Sequence, residues 1–195
     1  MPEREKVALA KAVIVHGYMA NPSAHWFPWL GRALERHGLD VTIAAMPESQ
    51  APRPDVWAET LQVLLPEPDE TTLFIGHSLG CITLLRHLSR LPAGARIGGY
   101  VLVSGFDRPL PNLPDLDDFT TEPLDYDALK RMTDVRLSIY SDNDTIVDPA
   151  YSRALAAALN TAEIERPGAG HFLASEGVTE LPEIVDWLPL PQAVA

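Results

Sequence analysis

Cysteine is almost absent from this sequence, because Cys81 is the only one. A single cysteine excludes a disulfide framework within the chain and is typical of a reducing compartment. Basic residues are also scarce, with 15 Lys and Arg against 27 Asp and Glu and a formal net charge of −12. Nucleic-acid binding requires clustered positive charge. The composition therefore argues against a nucleic-acid partner.

Long hydrophobic runs are missing as well. Met1–Lys6 mixes acidic and basic side chains, and Lys11 interrupts the apolar stretch that begins at Val7. A secretory leader needs an uninterrupted apolar region, and a membrane-spanning helix needs about 20 apolar residues. We therefore predict a cytoplasmic protein without a membrane partner.

The apolar content is sufficient for one core, since 46% of the 195 residues are hydrophobic. A chain of this length buries about 70% of its unfolded surface on folding, which predicts one domain over residues 1–195. Apolar strand patterns alternate with helical patterns, and this order predicts a compact α/β fold whose parallel sheet has helices on both faces. The six predicted strands begin near Lys11, Val41, Thr71, Gly99, Val135 and Glu163.

The third predicted strand ends in Gly76-His77-Ser78-Leu79-Gly80, and a helical apolar pattern follows directly. Gly-x-Ser-x-Gly at a strand-to-helix turn is a nucleophile elbow, which exposes the serine at the carboxyl end of the strand. Glycine at 76 and 80 removes side chains where the elbow passes close to other backbone. Ser78 is therefore the predicted nucleophile, and it needs a base and an acid.

Two later strands end in residues that can supply these groups. Asp144 follows the fifth strand and His171 follows the sixth, and loops at the carboxyl edge of a parallel sheet share one crevice. The chain order Ser, Asp, His is that of an α/β-hydrolase. We predict that His171 accepts the proton of Ser78 and that Asp144 orients the imidazole.

Three aspartates compete for the acid position. Asp148 precedes Pro149 at a predicted helix start, where it can cap the helix, and we expect Asp142 to be solvated. The spacing of Asp142, Asp144 and Asp148 suits oxygen ligands but lacks the glycine and terminal Glu of a calcium loop. The sequence also lacks a phosphate loop and a dinucleotide fingerprint. We therefore predict neither a metal nor a cofactor.

Several segments together resemble a known family: His16–Ala20, His25–Trp29, Gly76–Gly80, Leu102–Phe106 and Gly170–Phe172. They are similar to those of the YdeN-type bacterial serine hydrolases, relatives of retinoblastoma-binding protein nine, and the similarity covers nearly the whole chain. The resemblance implies a compact α/β-hydrolase that lacks the first two strands of larger members. It also implies the nucleophile at Ser78, the acid at Asp144 and the base at His171.

The predicted oxyanion hole consists of two backbone N–H groups. Leu79 follows the nucleophile at the start of the elbow helix, and Tyr18 lies in the loop after the first strand. We interpret His16 and His77 as packing or loop-fixing residues. His25 lies in an aromatic cluster that either packs a helix or lines an acyl pocket, with packing preferred. His37 and His87 are predicted surface residues.

Residues 106–127 form the longest irregular stretch, which is either a short cap over the elbow or a solvated connector. A loose tail is predicted from residue 189. The predicted function is a serine hydrolase that cleaves a small-molecule ester, thioester or amide through an acyl-enzyme. The alternative is a hydrolase-like interaction module with a vestigial triad.

Overall fold

The computed structural model describes residues 7–65 and 67–193 and is built on one six-stranded sheet. All neighbouring strands are parallel, in the order β2-β1-β3-β4-β5-β6. The strands are β1 (Lys11–Val15), β2 (Asp40–Ala44), β3 (Thr72–His77), β4 (Gly99–Val103), β5 (Arg136–Tyr140) and β6 (Ala162–Glu165). The parallel six-stranded sheet predicted from the sequence is confirmed.

Helices cover both faces of the sheet. The side chains of the central strands alternate between two apolar clusters, one on each face. Val13 and Val15 of β1 belong to one cluster, whereas Ala12 and Ile14 belong to the other. Such strands are buried on both faces, as in other parallel sheets. The α-helices are α1 (Phe27–Arg36), α2 (Pro54–Leu64), α3 (Leu79–Ser89), α4 (Tyr126–Met132), α5 (Pro149–Leu159) and α6 (Pro182–Trp187), with 3-10 helices at Pro114–Thr120 and Ala174–Glu176.

The strand order creates a crevice between β1 and β3. From β1 the chain first moves outward to β2, then returns to the other side of β1 to form β3 and continues in the opposite direction. The helices that follow β1 and β3 in the chain, α1 and α3, therefore lie on opposite faces of the sheet. In open α/β sheets this reversal point is where ligands bind, at the carboxyl ends of the strands. Ser78 follows β3 directly and so lies at this point.

Part of the segment 106–127 packs on the core, although many of its residues are exposed. Leu116 and Phe119 of its 3-10 helix are buried, and the Phe119 ring contacts the Trp57 ring at 5.6 Å between centroids. Arg86 of α3 donates from Nε to the Phe119 carbonyl at 2.6 Å and from Nη2 to the Glu122 carbonyl at 2.8 Å. These contacts fasten the segment to α2 and α3.

Two histidines differ from the sequence prediction of surface positions. His87 is only 3% exposed, because the other helices of its layer enclose α3 on nearly all sides. Burial lowers the pKa of His87. His37 is half-buried at the end of α1, and its Nδ1 lies 2.7 Å from the Pro191 carbonyl oxygen.

The two ends of the chain can be compared with prediction only in part. Met1–Lys6, which supports the argument against a leader, lies outside the described residues. Leu190 packs against an apolar cluster and Pro191 bonds His37, so the first residues of the predicted loose tail contact the core. Among residues 7–65 and 67–193, no helix combines the length and the apolar character that crossing a membrane requires.

Candidate active site

Ser78 stands at a sharp turn between β3 and α3. Its φ of 53° and ψ of −121° are rare for a residue with a side chain, and its N–H donates to the Val103 carbonyl at 2.9 Å. Backbone in this region is strained and persists where the surrounding structure holds it. The side chain is almost buried, with Ser78 5% exposed at the carboxyl edge of the sheet. This is the backbone geometry of a nucleophile elbow.

The two glycines of the elbow are required by space. A Cβ at Gly76 would lie 2.8 Å from the Cα of Cys81, and a Cβ at Gly80 would overlap the carbonyl oxygen of Val15. Both contacts would be closer than normal van der Waals contact, and the obstructing atoms belong to the backbone, which cannot easily move aside. The predicted close approach of elbow backbone to its neighbours is therefore confirmed at both positions.

Asp144 and His171 form a close buried pair. Oδ2 of Asp144 lies 2.7 Å from Nδ1 of His171, and both residues are less than 8% exposed. Oδ1 of Asp144 accepts the N–H groups of Ile146 and Val147 at 2.9 and 3.0 Å. Because a carboxylate only accepts hydrogen bonds, Nδ1 of His171 carries a proton here, and in the neutral imidazole Nε2 then has the lone pair.

The histidine is also held next to the elbow. Nε2 of His77, the residue before Ser78, donates to the His171 carbonyl at 2.9 Å, and the two imidazole centroids are 4.9 Å apart. Ser78, Asp144 and His171 come from the ends of β3, β5 and β6. The fold thus gathers all three residues of the predicted triad at one edge of the sheet.

The loop after β1 passes directly over the elbow. A Cβ at Gly17 would lie 2.9 Å from the Cβ of Ser78 and 3.5 Å from the backbone nitrogen of Leu79. Leu79 is the first residue of α3, where N–H groups have no partner within the helix. Tyr18 follows Gly17 immediately. The loop that contains Tyr18 and the start of α3 therefore meet next to the nucleophile.

The other two aspartates of the loop after β5 have separate partners. Asp148 caps α5 by accepting the Ala150 N–H at 2.9 Å, as predicted. Asp142 is exposed, but its Oδ1 accepts the Gly168 N–H at 2.8 Å, a bond that the sequence did not predict. Across the residues that the structure describes, no three His, Cys, Asp or Glu side chains are grouped so that they could hold a metal ion.

Comparison with known proteins assigns the chain to a family. Residues 12–189 match the family model described as serine hydrolase. The chain is also 39% identical over 175 residues to YdeN of Bacillus subtilis (strain 168), and the match covers 90% of this chain and 92% of that protein. The chain belongs to the serine hydrolase family. The resemblance to YdeN-type hydrolases noted in the sequence is thereby confirmed.

Solved structures agree with this assignment. The serine hydrolase superposes on the crystal structure of the ydeN gene product from B. subtilis with a TM-score of 0.88, at 39% identity and with 91% of this chain and 95% of that chain covered. A YdeN-like hydrolase from Pectobacterium atrosepticum gives 0.68 at 20% identity, covering 91% and 88%. Est1E from Butyrivibrio proteoclasticus gives 0.67 at 14% identity, covering 94% and 90%. The last two establish only a common fold, that of the α/β-hydrolases.

Three histidines of the serine hydrolase support loops around the elbow. His16 accepts the Met46 N–H on Nε2 at 3.1 Å, and its Nδ1 donates to the Gly17 carbonyl at 3.0 Å. His25 accepts the Ala174 N–H on Nδ1 at 3.1 Å.

Burial lowers the pKa of His16 and of His25. Burial also holds the pKa of His77 well below its usual value, and the nearby His171 adds to this effect. The neutral imidazoles of His16 and His77 fix loops, as the sequence analysis proposed.

The aromatic cluster near His25 serves mainly for packing. Trp26 and Phe27 are fully buried in one apolar cluster and stack edge-to-face at 4.6 Å between ring centroids. Trp29 packs against the same cluster from a half-buried position. Of the two alternatives left open by the sequence, packing a helix against the sheet is the one that these contacts support.

Sequence reasoning missed the residues that hold the loop of His171. Oε2 of Glu176 accepts the N–H groups of His171 and Leu173, at 2.8 and 3.1 Å. Ser141 and Asn143 accept N–H groups of Ala169 and Gly170, at 3.0 and 2.8 Å. For Ser141 and Asn143 the signal in the sequence is the run of polar residues before Asp144, which an ordinary polar turn also explains.

The single cysteine supports the elbow from behind. Cys81 is fully buried, and its Sγ points to the Val103 carbonyl oxygen at 3.5 Å. A Cβ at Gly105 would lie 3.2 Å from the same sulfur. Burial raises the pKa of the Cys81 thiol, so the serine hydrolase keeps this sulfur protonated and away from the reaction.

Proposed function

We propose that this serine hydrolase cleaves a small ester, thioester or amide through an acyl-enzyme formed on Ser78. The observation that carries the proposal is the 2.7 Å bond between Asp144 and Nδ1 of His171, beside the strained elbow. This bond leaves the lone pair of Nε2 free to take a proton. A binding module has no need of a strained serine or of a buried carboxylate paired with an imidazole.

In the first half-reaction, Nε2 of His171 takes the Ser78 proton as Oγ attacks the carbonyl carbon of the substrate. The N–H groups of Leu79 and Tyr18 stabilise the oxyanion of the tetrahedral intermediate. The dipole at the start of α3 favours the same negative charge. The intermediate then collapses, His171 gives its proton to the leaving group, and the acyl group remains on Oγ.

Water completes the cycle by the same steps. His171 takes a proton from the water molecule that attacks the acyl-enzyme, and returns it to Ser78 as the acid product leaves. Asp144 holds the imidazole in the Nδ1–H tautomer and stabilises its charged form in both halves. The residues described here supply every proton transfer in this sequence.

The substrate in this proposal is a small acyl compound. The net charge of −12 favours it over nucleic acid. Four large apolar side chains of segment 106–127 are buried in the core, and two more, Leu113 and Leu124, are half-buried against it, which leaves fewer apolar groups to cover the elbow; the buried ones are Phe106, Leu110, Leu116 and Phe119. This packing supports a shallow acyl site, and we propose a preference for short acyl chains.

Labelling with a fluorophosphonate probe tests the proposal. The probe forms a covalent bond only with an activated serine, so we expect labelling of the wild type and none of Ser78→Ala. Loss of labelling in His171→Ala as well would show that the imidazole activates the serine. A folded wild type that takes up no probe would refute the enzyme and favour an interaction module with a vestigial triad.

A further inference from the structure

The loop that carries His171 gets its position mainly from side chains of other segments. Gly168, Gly170 and Phe172 all have positive φ, at 72°, 58° and 59°. Such backbone cannot continue the regular pairing of β6 with its neighbour. Most of its N–H groups therefore need partners outside the sheet, and the geometry of those partners sets the position of the imidazole.

Three consecutive side chains after β5 meet three consecutive N–H groups of this loop. Asp142 accepts from Gly168, Ser141 accepts from Ala169, and Asn143 accepts from Gly170, at 2.8, 3.0 and 2.8 Å in that order. We call this set the loop bridge. It joins the loop of the acid to the loop of the base across 26 to 28 positions of sequence.

Asn143 is the central member of the loop bridge. Its Oδ1 accepts the Gly170 N–H and also the hydroxyl of Ser141, at 2.7 Å. The Ser141 hydroxyl in turn accepts the Ala169 N–H, and Ser141 is fully buried. The proton of the serine hydroxyl is thereby directed to Asn143, and its lone pair to Ala169.

The register of these bonds matches that of the proposed acid–base pair. Asn143 directly precedes Asp144, and Gly170 directly precedes His171. A bond between residues 143 and 170 therefore fixes the backbone one residue away from both ends of the Asp144–His171 bond. Small displacements of reacting groups lower rate constants strongly, by about 100-fold for 1 Å.

We propose that Asn143 and Ser141 are positioning residues, which hold the base loop so that His171 meets Asp144 and Ser78 in reactive geometry. Neither residue touches the reacting atoms, and the inference rests on the proposed triad. Asn143 is the better residue to vary because it is exposed and its loss leaves no buried cavity. Ser141 is buried, so its removal also affects stability.

The test compares Asn143→Ala with Asn143→Asp in steady-state hydrolysis of a short-chain p-nitrophenyl ester. We expect Asn143→Ala to lower kcat by about 10- to 100-fold with KM nearly unchanged, because binding contacts remain while the base is displaced. Asn143→Asp keeps an oxygen that accepts both bonds and should restore most of the rate. A merely structural role would give neither the split between kcat and KM nor the rescue.

Asp148→Ala is the matched control. It removes a side-chain bond of the same kind, to the Ala150 N–H at 2.9 Å, from the same loop. That bond stays within the start of α5 and does not reach the base loop. We expect Asp148→Ala to lose stability and keep its kcat.

A second measurement does not depend on turnover. The Nδ1 proton of His171 is shared with the Asp144 carboxylate, so it should give a downfield proton resonance. This resonance should be absent in His171→Ala. We expect this resonance to disappear or broaden in Asn143→Ala and to persist in Asp148→Ala. Wild-type kcat and an unchanged resonance in Asn143→Ala would overturn the inference, and so would an Asn143→Asp variant as slow as Asn143→Ala. Failure of the proposed function would instead show as wild-type protein without hydrolysis or probe labelling.

Discussion

Replacing Asp144 by asparagine should abolish most activity while the fold persists. Oδ1 of the new side chain can still accept the N–H groups of Ile146 and Val147, which Asp144 binds at 2.9 and 3.0 Å. The amide nitrogen then occupies the place of Oδ2, 2.7 Å from Nδ1 of His171. An amide NH₂ only donates, so Nδ1 must become an acceptor and the imidazole proton moves to Nε2. That tautomer cannot take the proton of Ser78.

The size of the effect follows from this change of tautomer. Serine enzymes with an orienting aspartate lose about 10⁴-fold in kcat when asparagine replaces it, which corresponds to about 5 kcal/mol in the barrier. The free energy of unfolding should fall by only about 1 to 2 kcal/mol, since a charged acceptor is exchanged for a neutral one. In a chain of this size, Tm would then fall by about 2 to 8 °C.

Initial rates of short-chain p-nitrophenyl ester hydrolysis and a thermal melt by circular dichroism measure both effects. Asp148→Asn is the control, because it makes the same chemical change four positions away and keeps an oxygen for the Ala150 N–H. It should behave like the wild type in both assays. If Asp144→Asn kept its rate while Asp148→Asn lost it, the assignment of the acid would be wrong.

Three further predictions follow from the same geometry. His171→Ala should lower kcat by about three orders of magnitude or more with the fold intact, and near-wild-type rates would exclude it as the base. Asp148→Ala should cost about 1 kcal/mol of stability through the lost helix cap and lower Tm by about 2 to 4 °C, with most activity retained; an unchanged melting curve would contradict the capping role. Acetyl and butyryl esters should turn over faster than long-chain esters, and the opposite order in a chain-length series would show that the segment 106–127 covers a deeper acyl site.

The parts of the site that sequence could predict are those encoded locally. The Gly-x-Ser-x-Gly pattern specifies the elbow within a few residues, because a strand, a strained turn and a helix must follow one another there. Asp144 and His171 could be placed because parallel strands bring their carboxyl ends to one edge. The same reasoning predicted the cap that Asp148 forms on α5.

The parts that could not be predicted depend on which segments pack together. The position of His87 in a helical stretch predicts a surface residue, whereas neighbouring helices bury nearly every side of α3. The prolines of segment 106–127 correctly indicated irregular backbone, but its attachment to Arg86 joins residues more than 30 positions apart. The bond between Asn143 and Gly170 has no local pattern either, because the two residues lie 27 positions apart. Glu176 differs, since it accepts N–H groups only three and five positions away.

The buried sulfur behind the elbow makes this protein convenient for labelling studies. Thiol reagents attack the thiolate at an accessible sulfur, and Cys81 offers neither exposure nor a low pKa. A cysteine introduced on the surface, for example at Arg108 in the segment after β4, would therefore be the sole reactive thiol without removal of the native one. A fluorophore or spin label at that position would report whether the segment 106–127 shifts when an inhibitor occupies Ser78, with the packing around the elbow left as it is.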